Sequence, residues 1–405
     1  MPTSAKSLLG RTLPGGWKVV DCVTPPSTGS CFSIGYLVEQ EDGTRGYLKA
    51  LDLSAALRAE NMLEEVSNLT SAFRFERDLL EECRNRRLSR VVYAIEYNEA
   101  SIDPTSVVGR IPYLIFERAD SDIRRAMDSS ATFDSAWALR TLHHICVGLR
   151  QLHLTKIAHQ DLKPSNVLLF DVGAKVADLG CATKADTEGP VDDLRIPGDP
   201  RYAPPELLYG HVDPDWTKRR IGCDLYHLAS MAHFLFCDIS LTAALMQQLP
   251  VEHKRPQWTG TFAEILPFLE HAFGAVIDEF DARAPSRVQG SLVEAVKQLG
   301  HPDPDKRGHP KDRSAYERLV HATSARHDAQ TDRLTSDQLS QPAPDNNGQP
   351  LEHAGYQQPE FPDLDNDGDS INPLTNAPLS LQRYISLFNL LATQMETSLC
   401  RELSK

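Results

Sequence analysis

His159-Gln160-Asp161-Leu162-Lys163-Pro164-Ser165-Asn166, followed by Asp178-Leu179-Gly180, is the stretch on which the reading of this chain turns. It supplies a proton acceptor, a cation and two metal ligands at the intervals that phosphoryl transfer requires. Asp161 is able to take the proton of an incoming hydroxyl, and Lys163 to offset charge on the moving group. Asn166 and Asp178 offer oxygens, hard donors for Mg²⁺ ions that bridge nucleotide phosphates. A mere polar loop between two apolar strands would leave this order of residue types unexplained.

The chain around that stretch has a globular balance. Its 405 residues, 41% hydrophobic and 24% charged, can fill one large domain or two ordinary ones. A net charge of −14 argues against nucleic acid or an anionic membrane as the main partner. Eight cysteines are scattered without a C-x-x-C pair, and several lie in apolar runs, as in His144-Ile145-Cys146-Val147. That pattern fits reduced, buried thiols better than a disulfide framework. No apolar core of signal-peptide length opens the sequence, so a cytoplasmic location is expected.

Working outward, residues 1 to about 53 read as strands, with short β-forming runs at Trp17-Lys18-Val19-Val20, Gly35-Tyr36-Leu37-Val38 and Gly46-Tyr47-Leu48-Lys49. Residues 55–86 switch to helical spacing, placing Phe73, Leu79, Leu80 and Cys83 on one face. Strands are expected again at Arg90-Val91-Val92-Tyr93-Ala94 and Pro112-Tyr113-Leu114-Ile115-Phe116. Beyond Ser135 the chain reads as mostly helical, with an amphipathic run from Ala136 to His153 and an almost wholly apolar one from Cys223 to Phe236. Residues 326–378, poor in large apolar side chains and rich in Pro, Asp, Asn and Gln, are expected to form a disordered acidic and polar linker. The closing segment, 379–405, regains helical period through Leu381, Tyr384, Ile385, Phe388, Leu391, Met395 and Leu399. Such a stripe must be buried, either by docking back or by self-association or a partner.

The opening stretch resembles the catalytic loop and metal-binding turn of the eukaryotic-type (Ser/Thr-like) protein kinases, where H-R-D-x-K-x-x-N and D-F-G play these parts. The resemblance implies an α+β, two-lobed fold over residues of about 10–325, with a small β-rich lobe to about 118 and a larger helical lobe from about 119. It makes Lys49 the strand lysine that grips the nucleotide phosphates and Glu76 the acid that holds it, with Glu82 as the fallback. Pro112 to Ala119 resembles the strand whose end offers backbone groups to adenine, through Glu117 and Ala119, with Phe116 behind. Asp122 is placed to reach the ribose or, alternatively, to cap the helix that follows. Pro204-Pro205-Glu206 resembles the A-P-E end of the activation segment, Arg307 the late arginine that pairs with it, and Asp224 the aspartate that braces the catalytic loop.

Four positions depart from the family pattern. The glycine-rich loop is degenerate, Thr28-Gly29-Ser30-Cys31-Phe32-Ser33-Ile34-Gly35, leaving Gly29, Ser30 and the aromatic tip Phe32 as its nucleotide-binding candidates. Gln160 gives HQD in place of HRD, which argues against switching by a phosphate on Thr183 or Thr187. Asp199 stands where the family has a threonine, poised to pair with Lys163 or to repel Asp161; Leu179 replaces a phenylalanine. The expectation is an ATP- and Mg²⁺-dependent kinase acting on Ser or Thr hydroxyls of a protein substrate or of itself. The alternatives are a pseudokinase-like nucleotide-binding scaffold working through protein interactions, and a kinase of small molecules.

Overall fold

Alternation in the first third of the chain produces a sheet with two different faces. In the computed structural model, which describes residues 4–23, 33–102, 109–129, 133–318 and 379–403, five antiparallel strands lie in the order β1-β2-β3-β5-β4. They are β1 (Lys18–Val23), β2 (Ser33–Glu39), β3 (Arg45–Leu51), β4 (Ala94–Ser101) and β5 (Arg110–Glu117). Tyr36, Val38, Leu48, Ala50, Tyr113 and Ile115 are buried on the outer face under Ala5, Leu8, Leu13 and Trp17 of the N-terminal segment. That segment is tied down by the Tyr36 hydroxyl, which donates to the Ala5 carbonyl at 2.7 Å, and by the Trp17 indole, which donates to Glu96 at 2.9 Å.

The inner face carries Lys49 and Leu114 and meets α1 (Met62–Asn85). Glu64 and Glu65 in the first turn and Arg84 in the last suit the helix dipole, and Glu76, Leu79, Leu80 and Cys83 are buried. Phe73, expected on the same face, is half-buried at its rim.

One strand differs from expectation. Residues 90–93 do not join this sheet: the Val92 amide donates to Val176 at 2.8 Å and the Val176 amide to Arg90 at 2.9 Å. The segment is instead pinned to a strand of the helical lobe, and β4 begins only at Ala94.

The helical lobe starts with β6 (Ser121–Asp122), α2 (Ile123–Ser129) and α3 (Ser135–Leu154), followed by β7 (Ile157–Ala158), β8 (Val167–Phe170), β9 (Gly173–Val176) and β10 (Thr183–Lys184). Helices α4 (Pro205–Leu208), α5 (Gly222–Cys237), α6 (Leu241–Gln248), α7 (Phe262–Arg283), α8 (Gln289–Leu299) and α9 (310–318) complete it. Asp134 caps α3 through the amides of Ala136 and Trp137, and Thr261 with Glu264 forms a capping box on α7. Every residue of α5 from Gly222 to Phe236 is buried, so this helix is the axis of the lobe.

The closing segment forms α10 (Gln382–Leu403), which packs along α3 and buries Leu381, Tyr384, Phe388, Leu391 and Ala392. The Arg140 guanidinium reaches both oxygens of Glu396 at 2.9 and 3.0 Å, and the Tyr384 hydroxyl donates to Gln298 at 2.9 Å. Among the described residues, the Leu381, Tyr384, Phe388 and Leu391 part of the stripe is thus covered by the chain's own body. The expected linker, 326–378, lies outside the described residues. Among the described residues no single helix is long and apolar enough to cross a membrane.

Candidate active site

The site is assembled on a loop whose backbone is held from the core. Buried Asp224 on α5 accepts hydrogen bonds from the amides of His159 and Gln160, at 2.8 and 2.9 Å, and from His153 Nε2 at 2.9 Å. Burial opposes its ionisation, yet its bonds to His153 and the loop hold its pKa below the usual value. His159 is also fixed, with Nε2 against the Ala177 carbonyl at 2.9 Å and Nδ1 accepting from the Asp161 amide at 3.2 Å. Gln160 and Asp178 both take left-handed backbone conformations, φ 65° in each, of the kind that concentrates at functional sites.

The Asp161 carboxylate is oriented from three sides. Oδ2 accepts from Lys163 Nζ at 2.7 Å and from Asn166 Nδ2 at 3.0 Å, while Oδ1 accepts from the Asp199 amide at 2.8 Å. Gly198 permits the last contact, because a Cβ there would lie 2.4 Å from the Gln160 carbonyl. Burial would discharge Lys163, but Asp161, Asp199 and Asp178 outweigh it and raise its pKa. Lys163 is therefore a fixed cation beside the acceptor carboxylate.

On the inner face of the sheet, Lys49 Nζ lies 2.7 Å from Glu76 Oε1 and 3.1 Å from Asp178 Oδ1. Burial acts to lower the Lys49 pKa, and the Asp178 and Glu76 carboxylates more than reverse it. Lys49 in turn holds Asp178 below the ordinary carboxylate range, whereas burial raises Glu76. Glu82 is elsewhere, paired with Lys184 at 2.6 Å and with Arg86 at 3.1 Å. Asn166, on the turn Pro164–Asn166, accepts on its own carbonyl the amide of Ala177, the residue before Asp178, at 2.9 Å. Among the described residues no group of three or more His, Cys, Asp or Glu side chains could hold a metal by itself. An amide oxygen and a carboxylate suit Mg²⁺, which takes few protein ligands and completes its shell with phosphates and water.

The remaining candidates are less closely gathered. Glu117, at the end of β5, pairs its carboxylate with Lys175, and Ala119 follows in the connection to β6. Asp122 accepts the Arg125 amide at 3.0 Å, so in this structure it caps α2. Gly29, Ser30 and Phe32 lie outside the described residues.

Two contacts were not legible beforehand. The Asp199 carboxylate acts on Lys163 only through its charge, and the Arg201 guanidinium binds both of its oxygens, at 2.9 and 2.6 Å. Gln160 donates to the Arg220 carbonyl at 2.7 Å, and buried Arg220 donates onward to the carbonyls of Asp192 and Leu194 at 2.8 and 3.3 Å. A buried guanidinium thus holds the backbone of Asp192 and Leu194 beside the loop that carries Asp161. Thr183 is fully buried on β10, and Thr187 is exposed.

Comparison with known proteins adds a family match. The model of the family described as Protein kinase domain matches residues 44–315. A Wee1-like protein kinase of Oryza sativa subsp. japonica is 40% identical over 91 residues, 22% of this chain and 17% of that protein. A Wee1-like protein kinase of Arabidopsis thaliana is 31% identical over 149 residues, 36% of this chain and 27% of that protein. The serine/threonine-protein kinase fused of Drosophila melanogaster is 30% identical over 201 residues, 48% of this chain and 23% of that protein. The chain spans less than a third of the length of each of these relatives.

Proposed function

The chain belongs to the protein kinase family, and we propose that it transfers the γ-phosphoryl group of ATP, with Mg²⁺, to Ser or Thr hydroxyls of a protein substrate or of itself. The observation that carries this reading is the Asp161 carboxylate, held between Lys163, Asn166 and the Asp199 amide, together with Asp178, which Lys49 and Glu76 tie to the sheet. Bound ATP supplies the phosphoryl group, and bound Mg²⁺ neutralises its oxygens. Asp161 takes the proton as the acceptor oxygen bonds to phosphorus and the bond to the ADP oxygen breaks. Lys163 offsets charge on the group in transit, and Lys49, kept in place by Glu76, binds the phosphates that stay behind. Asn166 and Asp178 hold the metal, while backbone groups at Glu117 and Ala119 receive the base.

The serine/threonine preference draws on the name of the Drosophila relative. We assign residues of about 10–325 to the kinase unit, 326–378 to a polar linker and 379–405 to a tail helix that belongs with the unit. Free cysteines, Cys83, Cys146 and Cys223 among them buried, support a reducing, cytoplasmic setting.

Mass spectrometry after incubation with ATP and Mg²⁺, alone and with a Ser/Thr-rich test protein, checks the acceptor. Phosphate is expected on serine or threonine, with Thr187 accessible and buried Thr183 unmodified. Phosphate on tyrosine alone would refute the specificity, and none on either protein would refute the transfer.

A further inference from the structure

The strand that carries Lys49 also carries a large aromatic ring into the cleft. Gly35 lies opposite Lys49 in the β2–β3 pairing, and Tyr47 opposite Phe116 in the β3–β5 pairing. Because opposed residues and residues two apart share a face, Gly35, Tyr47, Lys49, Leu114 and Phe116 all lie on the inner face of the sheet. Tyr47 stands between Lys49, at the phosphate end, and Glu117, which opposes Gly46 where β5 gives way to the interlobe connection. That interval is where a nucleoside must lie if the cleft takes ATP.

The ring does not hang free in this interval. A Cβ on Gly35 would lie 2.4 Å from Tyr47 Oη, 2.9 Å from Cζ and 3.0 Å from Cε2. The phenol therefore leans across the diagonal against the bare backbone of β2, in space that a side chain at position 35 would occupy. Burial, opposed by Lys49 and reinforced by Asp178, raises its pKa, so the ring is neutral between charged neighbours.

We propose that Tyr47 is the plate on which the nucleobase stacks, and that Gly35 is the recess that keeps the ring out of the base's space. The inference rests on the reading of the cleft as an ATP site and adds the residue pair that shapes its base pocket. A flat neutral ring is suited to a base because every base offers a π face. The two positions then act as a unit: one large side chain fits between β2 and β3, and two do not.

Calorimetric titration of the full chain with ATP and Mg²⁺ tests this on wild type, Tyr47→Phe, Tyr47→Ala, Gly35→Val and the double variant Gly35→Val/Tyr47→Ala. Melting temperature serves as the control for folding, and Gly35→Ala stands in should the valine variant not fold. Tyr47→Phe is expected to bind within about twofold of wild type, and Tyr47→Ala about tenfold more weakly. Gly35→Val, which drives the ring into the base's space, is expected to weaken binding at least as much, and the double variant to bind more tightly than Gly35→Val alone. Tighter binding by Tyr47→Ala would overturn the proposal, since the ring would then be an obstruction; so would additive effects in the double variant. Lys49→Met separates the two readings. Binding lost with Lys49 but indifferent to positions 35 and 47 refutes the plate alone, and no binding by wild type refutes both.

Discussion

Asp161→Asn is expected to lower phosphoryl transfer by about 10²–10⁴-fold while leaving ATP affinity close to that of wild type. The substitution preserves shape and removes one function. In the native site Oδ1 accepts from the Asp199 amide, while Oδ2 accepts from both Lys163 and Asn166. An amide can still satisfy one side, but its NH₂ group must then face donors, and it has no basicity with which to take a proton. Single-turnover transfer to a test protein, measured beside ATP titration, separates the two effects. A loss of less than about tenfold would mean that another group accepts the proton. Equal losses of affinity and rate would mean that Asp161 acts mainly on nucleotide binding.

Removing one partner of the Glu206–Arg307 pair is expected to cost about 3–5 kcal/mol, a large share of the roughly 5–15 kcal/mol typical of a domain. Arg307 is wholly buried, and its guanidinium donates to both Glu206 oxygens at 2.6 and 2.8 Å and to the carbonyls of Gly222 and His301 at 3.1 and 2.9 Å. Arg307→Met strands a carboxylate in the core, and Glu206→Met strands a guanidinium. The double variant Glu206→Met/Arg307→Met strands neither, so it is expected to be more stable than either single variant. Urea unfolding of the four proteins measures this coupling. Single variants within about 1 kcal/mol of wild type would show that solvent or a neighbour replaces the missing charge. The pair also matters for activity, because Glu206 anchors the segment whose Asp199 amide orients Asp161.

The catalytic loop was legible because chemistry fixes residue types at fixed spacing, and no packing is needed to see the pattern. Lys49 and Glu76 could be singled out only through the kinase resemblance, by their order and spacing before the catalytic loop. The structure brings these two together and leaves Glu82 with Lys184. Strand β4 was not legible. It is an edge strand whose Tyr97, Asn98 and Glu99 face solvent, so its sequence lacks the alternation of a half-buried strand. The apolar run just before it looked more strand-like, and its bonds go to β9 instead. Arg220 was hidden for another reason: Lys218-Arg219-Arg220 reads as a surface run of cations, and only the tertiary fold buries its last member. The role of Tyr47 depended on register, since Tyr is a good strand former on either face and only pairing tells cleft from outer core. The tail helix showed its need for burial in its stripe, but not which surface would meet it.

Asn166 and Asp178 are proposed to hold the divalent ion together against the nucleotide, beside the Asp161 carboxylate. Electron paramagnetic resonance of Mn²⁺, substituted for Mg²⁺ and titrated into the full chain with and without ATP, tests this without requiring turnover. ATP-dependent Mn²⁺ binding is predicted for wild type, weakened by about tenfold or more in Asn166→Ala and in Asp178→Asn, and retained in Asp161→Asn. Mn²⁺ binding that is equal in all four proteins, or absent from wild type in the presence of ATP, would contradict it.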